Sequence, residues 1–418
     1  MHVAVIGAGI VGACCAIELL RDGHEVSLIE PDEPGGEQAA SYGNGAWISP
    51  ASVVPMSMPG LWKKLPGYLL DRTGPLTLRW SALPALAPWL FRFMQAGRSV
   101  ARVEKTARAL GRLLADAPVR HRALALEAGV AALIESKGLL YAYADRAAFI
   151  TESLAWRLRR DNGVDWQEFD APALRALLPM LAPHYGFGVL IPAGAHCRDP
   201  GAYVAALVRL AVARGASLKR ARATGFDLAA NRLHSVATSA GAIRCERAVI
   251  AAGIAAKPLA KAAGDQLLLE SERGYHVVLG DAGFELPLPV MPADGKMANT
   301  PTSAGLRLAG QVELAATWSP PDWRRADLLV EHARRAYPAL REVSRSRVAA
   351  RWMGHRPSTP DGLPVLGPAT GCADVFHAFG HGHVGLACGP ISGRIVADFV
   401  SKGAPAFDCS AYGPARLF

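Results

Sequence analysis

The sequence predicts an α/β protein in which a Rossmann-like nucleotide-binding domain is interleaved with a β-rich α+β domain. Three observations lead to this prediction. The chain opens with a complete strand–helix–strand unit that carries a glycine-rich turn, within residues 1–30. Strand and helix patterns that suit the same domain return at 199–253 and 375–399. The 418 residues are too many for one ordinary hydrophobic core, so two domains are expected.

The opening unit has the pattern of a dinucleotide-binding site. A buried strand leads into a GxGxxG turn, an apolar helix follows, and a second strand ends in an acid. The turn consists of Gly7, Ala8, Gly9, Ile10, Val11 and Gly12, and the acid is Glu30. The first glycine permits the tight turn, the second lets the backbone approach a pyrophosphate, and the third lets helix and strand pack closely. The helix N-terminus favours the phosphates, and Glu30 suits a ribose 2′-hydroxyl while repelling a 2′-phosphate.

The bulk composition excludes several other classes of protein. Half of the residues (51%) are apolar and 19% are charged, which is typical of a globular chain with a large core. We find no 18-residue apolar run clear of charge and therefore expect no spanning helix. The seven cysteines show no metal-ligand spacing, so we expect a reduced, intracellular protein without disulfides or a metal site. The net charge of +9 is interpreted first as solvated helix faces, second as affinity for an anionic membrane surface, and least as nucleic-acid binding.

The pattern along the chain predicts how the two domains alternate. The nucleotide-binding domain is assigned to 1–45, 196–265 and 346–418, and the substrate-binding domain to 46–195 and 266–345. Pockets commonly lie where two domains meet, so we expect the substrate there. Within the second domain, the segment Leu133–Tyr143 predicts a hairpin around a Ser-Lys-Gly turn.

The segment 50–97 differs from the rest of the chain. It combines many prolines with aromatic and aliphatic residues, and basic residues are interspersed among them. The basic residues are Lys63, Lys64, Arg72, Arg79 and Arg92. This composition suits peripheral contact with an anionic bilayer. Two alternatives remain open: the aromatic residues cover the core of the substrate domain, or they contact a partner subunit.

Six motifs in order resemble the flavin-dependent amine oxidoreductases, the family that includes D-amino-acid oxidase, glycine oxidase, sarcosine oxidase and bacterial D-amino-acid dehydrogenases. The resemblance spans nearly the whole chain and is greatest to the dehydrogenases, including those acting on D-proline or hydroxyproline. The motifs are VIGAGIVG with Glu30, SYGNGAWISP from Ser41, VIAAG ending at Gly253, ERGYH from Glu272, GHRPSTPDG from Gly354 and GHGHVG from Gly380.

The resemblance implies FAD as the cofactor and assigns residues to it. Ser41, Asn44 and Gly45 match the family's loop beneath the flavin. Ala252 and Gly253 match the strand end beside the adenosine. The family places the segment Gly380, His381, Gly382, His383 and Gly385 near the pyrimidine edge of the flavin. There a helix N-terminus and an imidazole stabilise the negative charge that develops as the flavin takes a hydride; which of His381 and His383 does so stays open.

The resemblance also implies the substrate contacts. Arg356 matches the arginine that grips the substrate carboxylate, for which a planar fork of N–H donors is well suited. Tyr275 matches a strand that reaches over the active site. His276 must face the opposite side of a regular strand, so at most one of the two is expected to line the pocket unless Gly274 forms a bulge. We interpret His355, next to Arg356, as a packing or surface residue.

The resulting functional hypothesis is a flavin-dependent oxidative deamination of an amino acid, most of all a D-amino acid such as D-proline or hydroxyproline. A hydride leaves the α carbon for the flavin, and a respiratory quinone or another acceptor takes the electrons, because the chain has no second dinucleotide motif. The alternatives are an oxidase that uses O2, a sarcosine-like N-demethylase, and a non-catalytic flavin subunit of a hetero-oligomer. We expect a cytoplasmic protein, peripheral on the inner face of the membrane if 50–97 binds lipid. A covalent flavin link to a cysteine stays open, with Cys372 and Cys388 nearest to the flavin motifs in sequence.

Overall fold

The computed structural model describes residues 1–63, 67, 71, 74, 76–341 and 347–417. Twenty-one strands and a set of helices build four sheets and their covering layers in this part of the chain. The helices are α1 Ile10–Arg21, α2 Leu83–Ala96, α3 Val100–Leu114, α4 Ala117–Glu127, α5 Arg146–Thr151, α6 Ser153–Asp161, α7 Ala171–Leu177, α8 Pro200–Ala213, α9 Ala256–Ala262, α10 Arg324–Ala336 and α11 Gly385–Lys402.

The first sheet is the predicted nucleotide-binding sheet. Its strands are β1 His2–Ile6, β2 Glu25–Ile29, β10 Ser217–Lys219, β14 Arg247–Ile250, β20 Val365–Pro368 and β21 Val375–Phe379. They lie in the order β10-β2-β1-β14-β21-β20, with only β20 antiparallel to its neighbour in this described sheet. The central strands are mostly apolar because both faces of this sheet are covered: helices α1, α8 and α11 pack on one face, and residues 221–245 with helix α9 pack on the other.

The second sheet is mostly antiparallel and forms the floor of the substrate side. Its strands are β4 Leu76–Leu78, β6 Leu139–Tyr143, β7 Gln167–Phe169, β8 Phe187–Ile191, β15 Glu270–Leu279, β16 Val290–Pro292, β17 Ala298–Thr302, β18 Gly305–Leu314 and β19 Val348–Ser358. Strand β19 pairs with β15 at the edge of this sheet, so Arg356 belongs to the floor although it follows residue 346. The exact division of the chain into domains stays a prediction.

Two small sheets complete the fold. The meander consists of β11 Ala223–Ala229, β12 Arg232–Thr238 and β13 Gly241–Arg244. The other sheet joins β3 Trp47–Ile48, β5 Ile134–Glu135 and β9 Ala195–Cys197. The predicted hairpin at Leu133–Tyr143 is therefore wrong: β5 pairs with β9, whereas β6 pairs with β8 and β16 in the large sheet.

The final helix α11 packs deep in the core against α1. A Cβ at Gly389 would lie 2.8 Å from Ile10, and one at Gly393 would lie 2.6 Å from the backbone of Cys14, so two glycines allow the close approach. The segment Gly382–Lys402 is long and apolar enough to cross a membrane by length and composition, with a mean hydropathy of 1.2, but 78% of that window is buried. We interpret it as the core helix of the nucleotide-binding domain.

The described part of segment 50–97 forms a partly open apolar surface. Trp62, Trp80 and Phe91 are each more than 60% exposed, whereas Trp89 is buried and donates a hydrogen bond from Nε1 to the Ser358 carbonyl at 2.9 Å. The segment thus covers the core with one face and presents aromatic side chains on another. Lys64, Arg72 and the other residues at 64–66, 68–70, 72–73 and 75 lie outside the described residues.

Buried histidines make acid destabilisation a testable property of this fold. Burial lowers the pKa of His121, His196 and His276 to about 4 each, so these rings are neutral in the folded protein. Between about pH 4 and 6.5 the folded state binds fewer protons than the unfolded state, and the free energy of unfolding therefore falls as the pH falls. We expect the free energy of unfolding to change by about 1.4 kcal/mol per pH unit for each histidine.

Urea unfolding at pH 7, 6 and 5 measures this slope. His121→Gln should reduce the slope, and a stability independent of pH in this window would contradict the assignment.

Candidate active site

One large cavity lies between the nucleotide-binding sheet and the floor of the second sheet. Its volume is about 1520 Å³, and its lining runs from the glycine-rich turn to Arg356. Pockets for drug-sized ligands measure about 300–1,000 Å³. The cavity therefore has room for an elongated cofactor and a small substrate together, at the interface where the sequence predicts the site.

The glycine-rich turn is shaped by contacts that leave no room for side chains. Gly7 has a φ of +100°, and a Cβ there would lie 2.6 Å from the Ala251 carbonyl oxygen. A Cβ at Gly12 would overlap the carbonyl of Gly7, so the third glycine brings helix α1 against the first strand as predicted. Gly9, Ile10 and Val11 line the cavity at the start of α1. This is a helix N-terminus presented to the cavity, the arrangement that binds phosphate groups.

Two polar side chains brace this turn. The Ile10 amide donates to Ser41 Oγ at 3.1 Å, which connects the loop after residue 40 to the start of α1. The Ala8 amide donates to Glu30 Oε2 at 2.9 Å, and the Asp32 amide donates to Oε1 at 3.3 Å. A carboxylate has about four acceptor positions, so Glu30, which lines the cavity, keeps capacity for the hydroxyls of a ribose.

The loop expected beneath the flavin is held by its own amide side chain. Asn44 Nδ2 donates to the Ser41 carbonyl at 2.7 Å, and the Ala46 amide donates to Asn44 Oδ1 at 2.6 Å. The Gly45 carbonyl accepts a hydrogen bond from Thr300 Oγ1 at 2.8 Å. Ser41, Asn44 and Gly45 all line the cavity. Asn44 thus fixes the loop conformation rather than offering a free amide.

Arg307, a buried residue of β18 that the sequence analysis did not identify, anchors the same loop from below. Its Nη1 donates to the carbonyls of Tyr42 and Asn44 at 3.0 and 3.2 Å. The acceptors for the Arg307 guanidinium in this loop are thus backbone carbonyl oxygens and not carboxylates. Arg307 and Asn44 together place the loop against the cavity.

The adenosine end of the predicted site lies where β14 ends. Ala252 and Gly253 line the cavity, and Gly253 has a φ of +56° with open space where a Cβ would stand. The glycine is therefore required by its backbone conformation, and the small side chain at Ala252 keeps the cavity wide at this point. Arg222 and Thr224 lie across the same end.

The two histidines before α11 have different surroundings. His381 is buried and its Nε2 lies 2.9 Å from Ser392 Oγ, and burial lowers its pKa to about 3. His383 Nε2 lies 2.8 Å from Glu272 Oε2, and about a third of its side chain is exposed. Both line the cavity with Gly382 and Gly385, whereas Gly380 is absent from the described lining and supports the turn with a φ of +82°.

Arg356 projects from β19 into the cavity. Its Nη1 donates to the Gln311 carbonyl at 3.0 Å, and among the described residues no carboxylate forms an ion pair with it. Gln311 holds this carbonyl with a φ of +62°, a strained conformation for a residue with a side chain. A Cβ at Gly274 would overlap the guanidinium, so the glycine makes the space that Arg356 occupies. Burial lowers the pKa of Arg356, but an arginine stays protonated at neutral pH.

Tyr275 and His276 do not stand where the resemblance implied. Strand β15 has a register shift against β18 between Arg273 and Tyr275, the bulge foreseen at Gly274. The Tyr275 hydroxyl nevertheless donates to Glu313 Oε2 at 2.5 Å inside the protein, and neither side chain is among the described residues that line the cavity. The expectation that Tyr275 or His276 contacts the substrate directly is therefore wrong for the described cavity.

His276 supports the flavin loop instead. Its Nδ1 donates to the Gly43 carbonyl at 3.0 Å, and its ring stacks on Trp352 with 5.2 Å between centroids. Trp352 in turn lines the cavity and donates from Nε1 to the Glu37 carbonyl at 2.8 Å. His276 and Trp352 are thus positioning residues that act through the loop.

Several cavity residues were missed by sequence reasoning. His355 lines the cavity beside Arg356 although regular alternation would separate them, and its Nδ1 lies 2.8 Å from Ser271 Oγ. Glu272 and Gln311 also line it. The motif ERGYH contained Glu272, but only the pairing of β15 with β19 places this acid beside Arg356.

The cysteines show no arrangement for disulfide or metal chemistry in the described chain. All seven are buried and free, and neither Cys372 nor Cys388 is among the described residues lining the cavity. Within the same described part, no group of three or more His, Cys, Asp or Glu side chains is placed to hold a metal ion.

A dinucleotide cradle that opens into a cavity with a partly buried guanidinium, which no carboxylate of the described chain pairs with, is typical of a nucleotide-dependent oxidoreductase of small carboxylates. The family model described as "FAD dependent oxidoreductase", DAO, matches residues 2–399, and the chain belongs to this family. It is an FAD-dependent enzyme that oxidises amino acids, and the glycine turn, Glu30 and the loop at Ser41 fit the cofactor.

Comparisons with individual proteins agree with this assignment. The chain is 50% identical over 417 residues to the "D-amino-acid oxidase" of Bradyrhizobium diazoefficiens, covering 100% of this chain and 99% of that protein. It is 31% identical over 428 residues to the "D-amino acid dehydrogenase 2" of Ralstonia nicotianae, with 100% of each covered. The glycine oxidase structure from Geobacillus kaustophilus superposes with a TM-score of 0.74 at 22% identity, covering 100% of this chain and 98% of that one. The L-proline dehydrogenase structure from P. horikoshii superposes with a TM-score of 0.76 at 20% identity, covering 99% of this chain and 97% of that one.

Proposed function

We propose that this protein oxidatively deaminates free D-amino acids, with Arg356 as the residue that binds the substrate carboxylate. The observation that carries the proposal is a partly buried guanidinium that lines the cavity and forms no ion pair with a carboxylate among the described residues. A guanidinium that lines a cavity without a carboxylate in contact keeps its N–H donors available for an incoming carboxylate. The names of the 50% and 31% identical relatives support the D enantiomer, and cyclic D-proline or hydroxyproline belongs in the substrate panel.

In this mechanism the protein positions the substrate, and FAD, when bound, would supply the hydride-accepting chemistry. Arg356 fixes the carboxylate, and the Gln311 carbonyl fixes Arg356, so the α carbon is held at a set depth in the cavity. Ser41, Asn44 and Gly45 of the flavin loop line the same cavity, as do His381 and His383 before α11. Such orientation supplies much of the rate enhancement, because the difficult electron transfer belongs to the cofactor.

For the electron acceptor we propose a membrane quinone, delivered through the described part of segment 50–97. Trp80 and Met56 line the cavity and are also 67% and 50% exposed, so an apolar path runs from solvent to the site. Trp62 and Phe91 of the same segment are also exposed. Aromatic side chains and nearby lysine and arginine suit an anionic bilayer surface.

A second candidate acceptor is molecular oxygen, which the name of the 50% identical relative favours. Under this alternative the enzyme releases hydrogen peroxide and needs no membrane. A steady-state assay with D-amino acids, L-amino acids and sarcosine, in air or with a soluble quinone under nitrogen, separates the two. Turnover only with quinone supports the dehydrogenase, stoichiometric peroxide in air supports the oxidase, and turnover of sarcosine alone would contradict D-amino-acid deamination.

Membrane contact has its own expected result. Vesicles containing anionic lipid should retain the wild-type protein on flotation, because exposed aromatic side chains insert at the interface. Replacing Trp80 and Phe91 together by Ser should reduce retention at least fivefold, while the exposed tryptophan pair of Trp318 and Trp323 replaced by Ser serves as the matched control. Equal retention of both variants would contradict docking through this segment.

A further inference from the structure

We propose that Glu272 binds the amino group of the substrate, so that Arg356 and Glu272 together form a two-point site for an α-amino acid. The proposal rests on the proposed function and adds a residue that selects for the zwitterion. An α-amino acid carries its carboxylate and its ammonium group on the same carbon. A matching site therefore needs one cation and one anion side by side.

The sheet places these two charges side by side. Glu272 on β15 pairs directly with Arg356 on β19, and both side chains line the cavity. Each affects the pKa of the other, yet they form no ion pair among the described contacts. The opposite charges are thus neighbours that do not neutralise each other by contact, which leaves room for a ligand between them.

The two oxygens of Glu272 have different surroundings. Oε2 accepts hydrogen bonds from Ser358 Oγ and His383 Nε2, both at 2.8 Å. Oε1 makes no hydrogen bond within the described residues, and it is also not among the fully enclosed unpartnered atoms there. Because Glu272 lines the cavity while only 5% exposed, Oε1 is the oxygen left for a ligand.

The hydrogen bonds to Oε2 and the nearby charge of Arg356 keep Glu272 ionised. Burial alone raises the pKa of Glu272, but His383, Ser358 and Arg356 outweigh it, and the pKa lies below its ordinary value. Among the described residues, His355 on β19 and His381 at the start of α11 also line the cavity, and burial lowers the pKa of both rings. Glu272 is therefore ionised at neutral pH and supplies the negative charge next to Arg356.

Holding the substrate by both its carboxylate and its amino group also determines which enantiomer reacts. With the carboxylate on Arg356 and the amino group on Glu272, only one enantiomer directs its α hydrogen toward the wall that holds the cofactor. The other enantiomer directs its side chain there. Loss of the second point should therefore lower the preference between D and L substrates, a result that a purely structural role of Glu272 does not produce.

The test compares two ligands on the FAD-loaded enzyme that share the carboxylate and both methyl groups and differ in the ammonium group. 2-Aminoisobutyrate has an ammonium group but no α hydrogen, so it binds without reacting, and 2-methylpropanoate lacks the ammonium group. Flavin absorbance titrations give both dissociation constants for the wild type, Glu272→Gln and the control Glu270→Gln. Glu270 lies two residues earlier on the same strand, pairs with Lys257 at 2.5 Å and is absent from the described cavity lining.

We expect Glu272→Gln to raise the dissociation constant of 2-aminoisobutyrate by about 10- to 100-fold, since hydrogen bonds to charged groups are strong. The dissociation constant of 2-methylpropanoate should change less than about threefold, because this ligand has no ammonium group. Glu270→Gln should leave both constants unchanged. Equal losses for the two ligands, or no loss for 2-aminoisobutyrate, would overturn the proposal.

The wild type gives a test that does not depend on the variant folding. It should bind 2-aminoisobutyrate at least tenfold tighter than 2-methylpropanoate, and equal affinities would overturn the role of Glu272. Failure of the proposed function is a separate result, because it appears as a wild-type flavin that no amino acid reduces. Reduction of the wild type together with unselective ligand binding would refute the Glu272 inference alone.

Discussion

Replacement of Arg356 by Met is expected to lower kcat/KM for the best amino-acid substrate by about 10²- to 10⁴-fold. Removing one partner of a buried charged pair costs about 3–5 kcal/mol, and each 1.36 kcal/mol is a tenfold change in rate. Methionine keeps much of the volume but cannot hold a carboxylate. The FAD content should stay at the wild-type level, because Arg356 lies on the floor sheet and not in the cradle around Gly7 and Glu30.

Two further variants define the cause of this loss. Arg356→Lys keeps the charge but loses the bidentate fork, so an intermediate loss is expected. Arg351→Met serves as the control, because Arg351 lies on the same strand, is exposed and pairs with Asp327 at 2.6 Å. Stopped-flow reduction under nitrogen measures each variant. A rate for Arg356→Met within threefold of the wild type would refute carboxylate binding by this residue.

Replacement of Gly12 by Val is expected to abolish FAD binding and to lower the melting temperature. A Cβ at this position overlaps the carbonyl of Gly7, so helix α1 must move away from the strand that carries the phosphate-binding turn. Overpacking of this kind costs about 1–3 kcal/mol in stability, and the displaced helix N-terminus no longer faces the phosphates. We expect at least a tenfold lower flavin-to-protein absorbance ratio after purification.

The matched control for Gly12 is Gly225 in the meander sheet, where a Cβ would meet open space. Gly225→Val should retain the wild-type FAD content and melting temperature. Unchanged FAD content in Gly12→Val would show that the turn at 7–12 does not form the cofactor cradle.

Local patterns were sufficient to predict the elements that carry their own signals. The glycine turn with Glu30 predicted the first strand–helix–strand unit, and the structure forms it as β1, α1 and β2. The strand and helix patterns from residue 199 also predicted elements of the same domain, and Asp199 accepts a hydrogen bond from the Ala202 amide at the start of α8. Each of these features depends on residues close together in sequence.

Long-range pairing could not be predicted in the same way. The strands at Ile134–Glu135 and Leu139–Tyr143 look like a hairpin, yet they join different sheets, because their partners lie far away in sequence. Likewise Glu272 meets Arg356 only through the register of β15 and β19, across 84 residues. Tyr275 was misassigned because the hydrogen bonds to Glu313 and Asp322 that hold it inside the protein are also long-range.

The central claim is that a D-amino acid held by Arg356 reduces the bound FAD. Its most direct test is anaerobic stopped-flow absorbance, with the FAD-loaded enzyme mixed in turn with the D and L enantiomers of alanine, proline and 4-hydroxyproline. We predict rapid loss of the oxidised flavin band with at least one D enantiomer and at least 100-fold slower reduction by its L counterpart. No reduction by any of these amino acids, or equally fast reduction by both enantiomers, would contradict the proposed function.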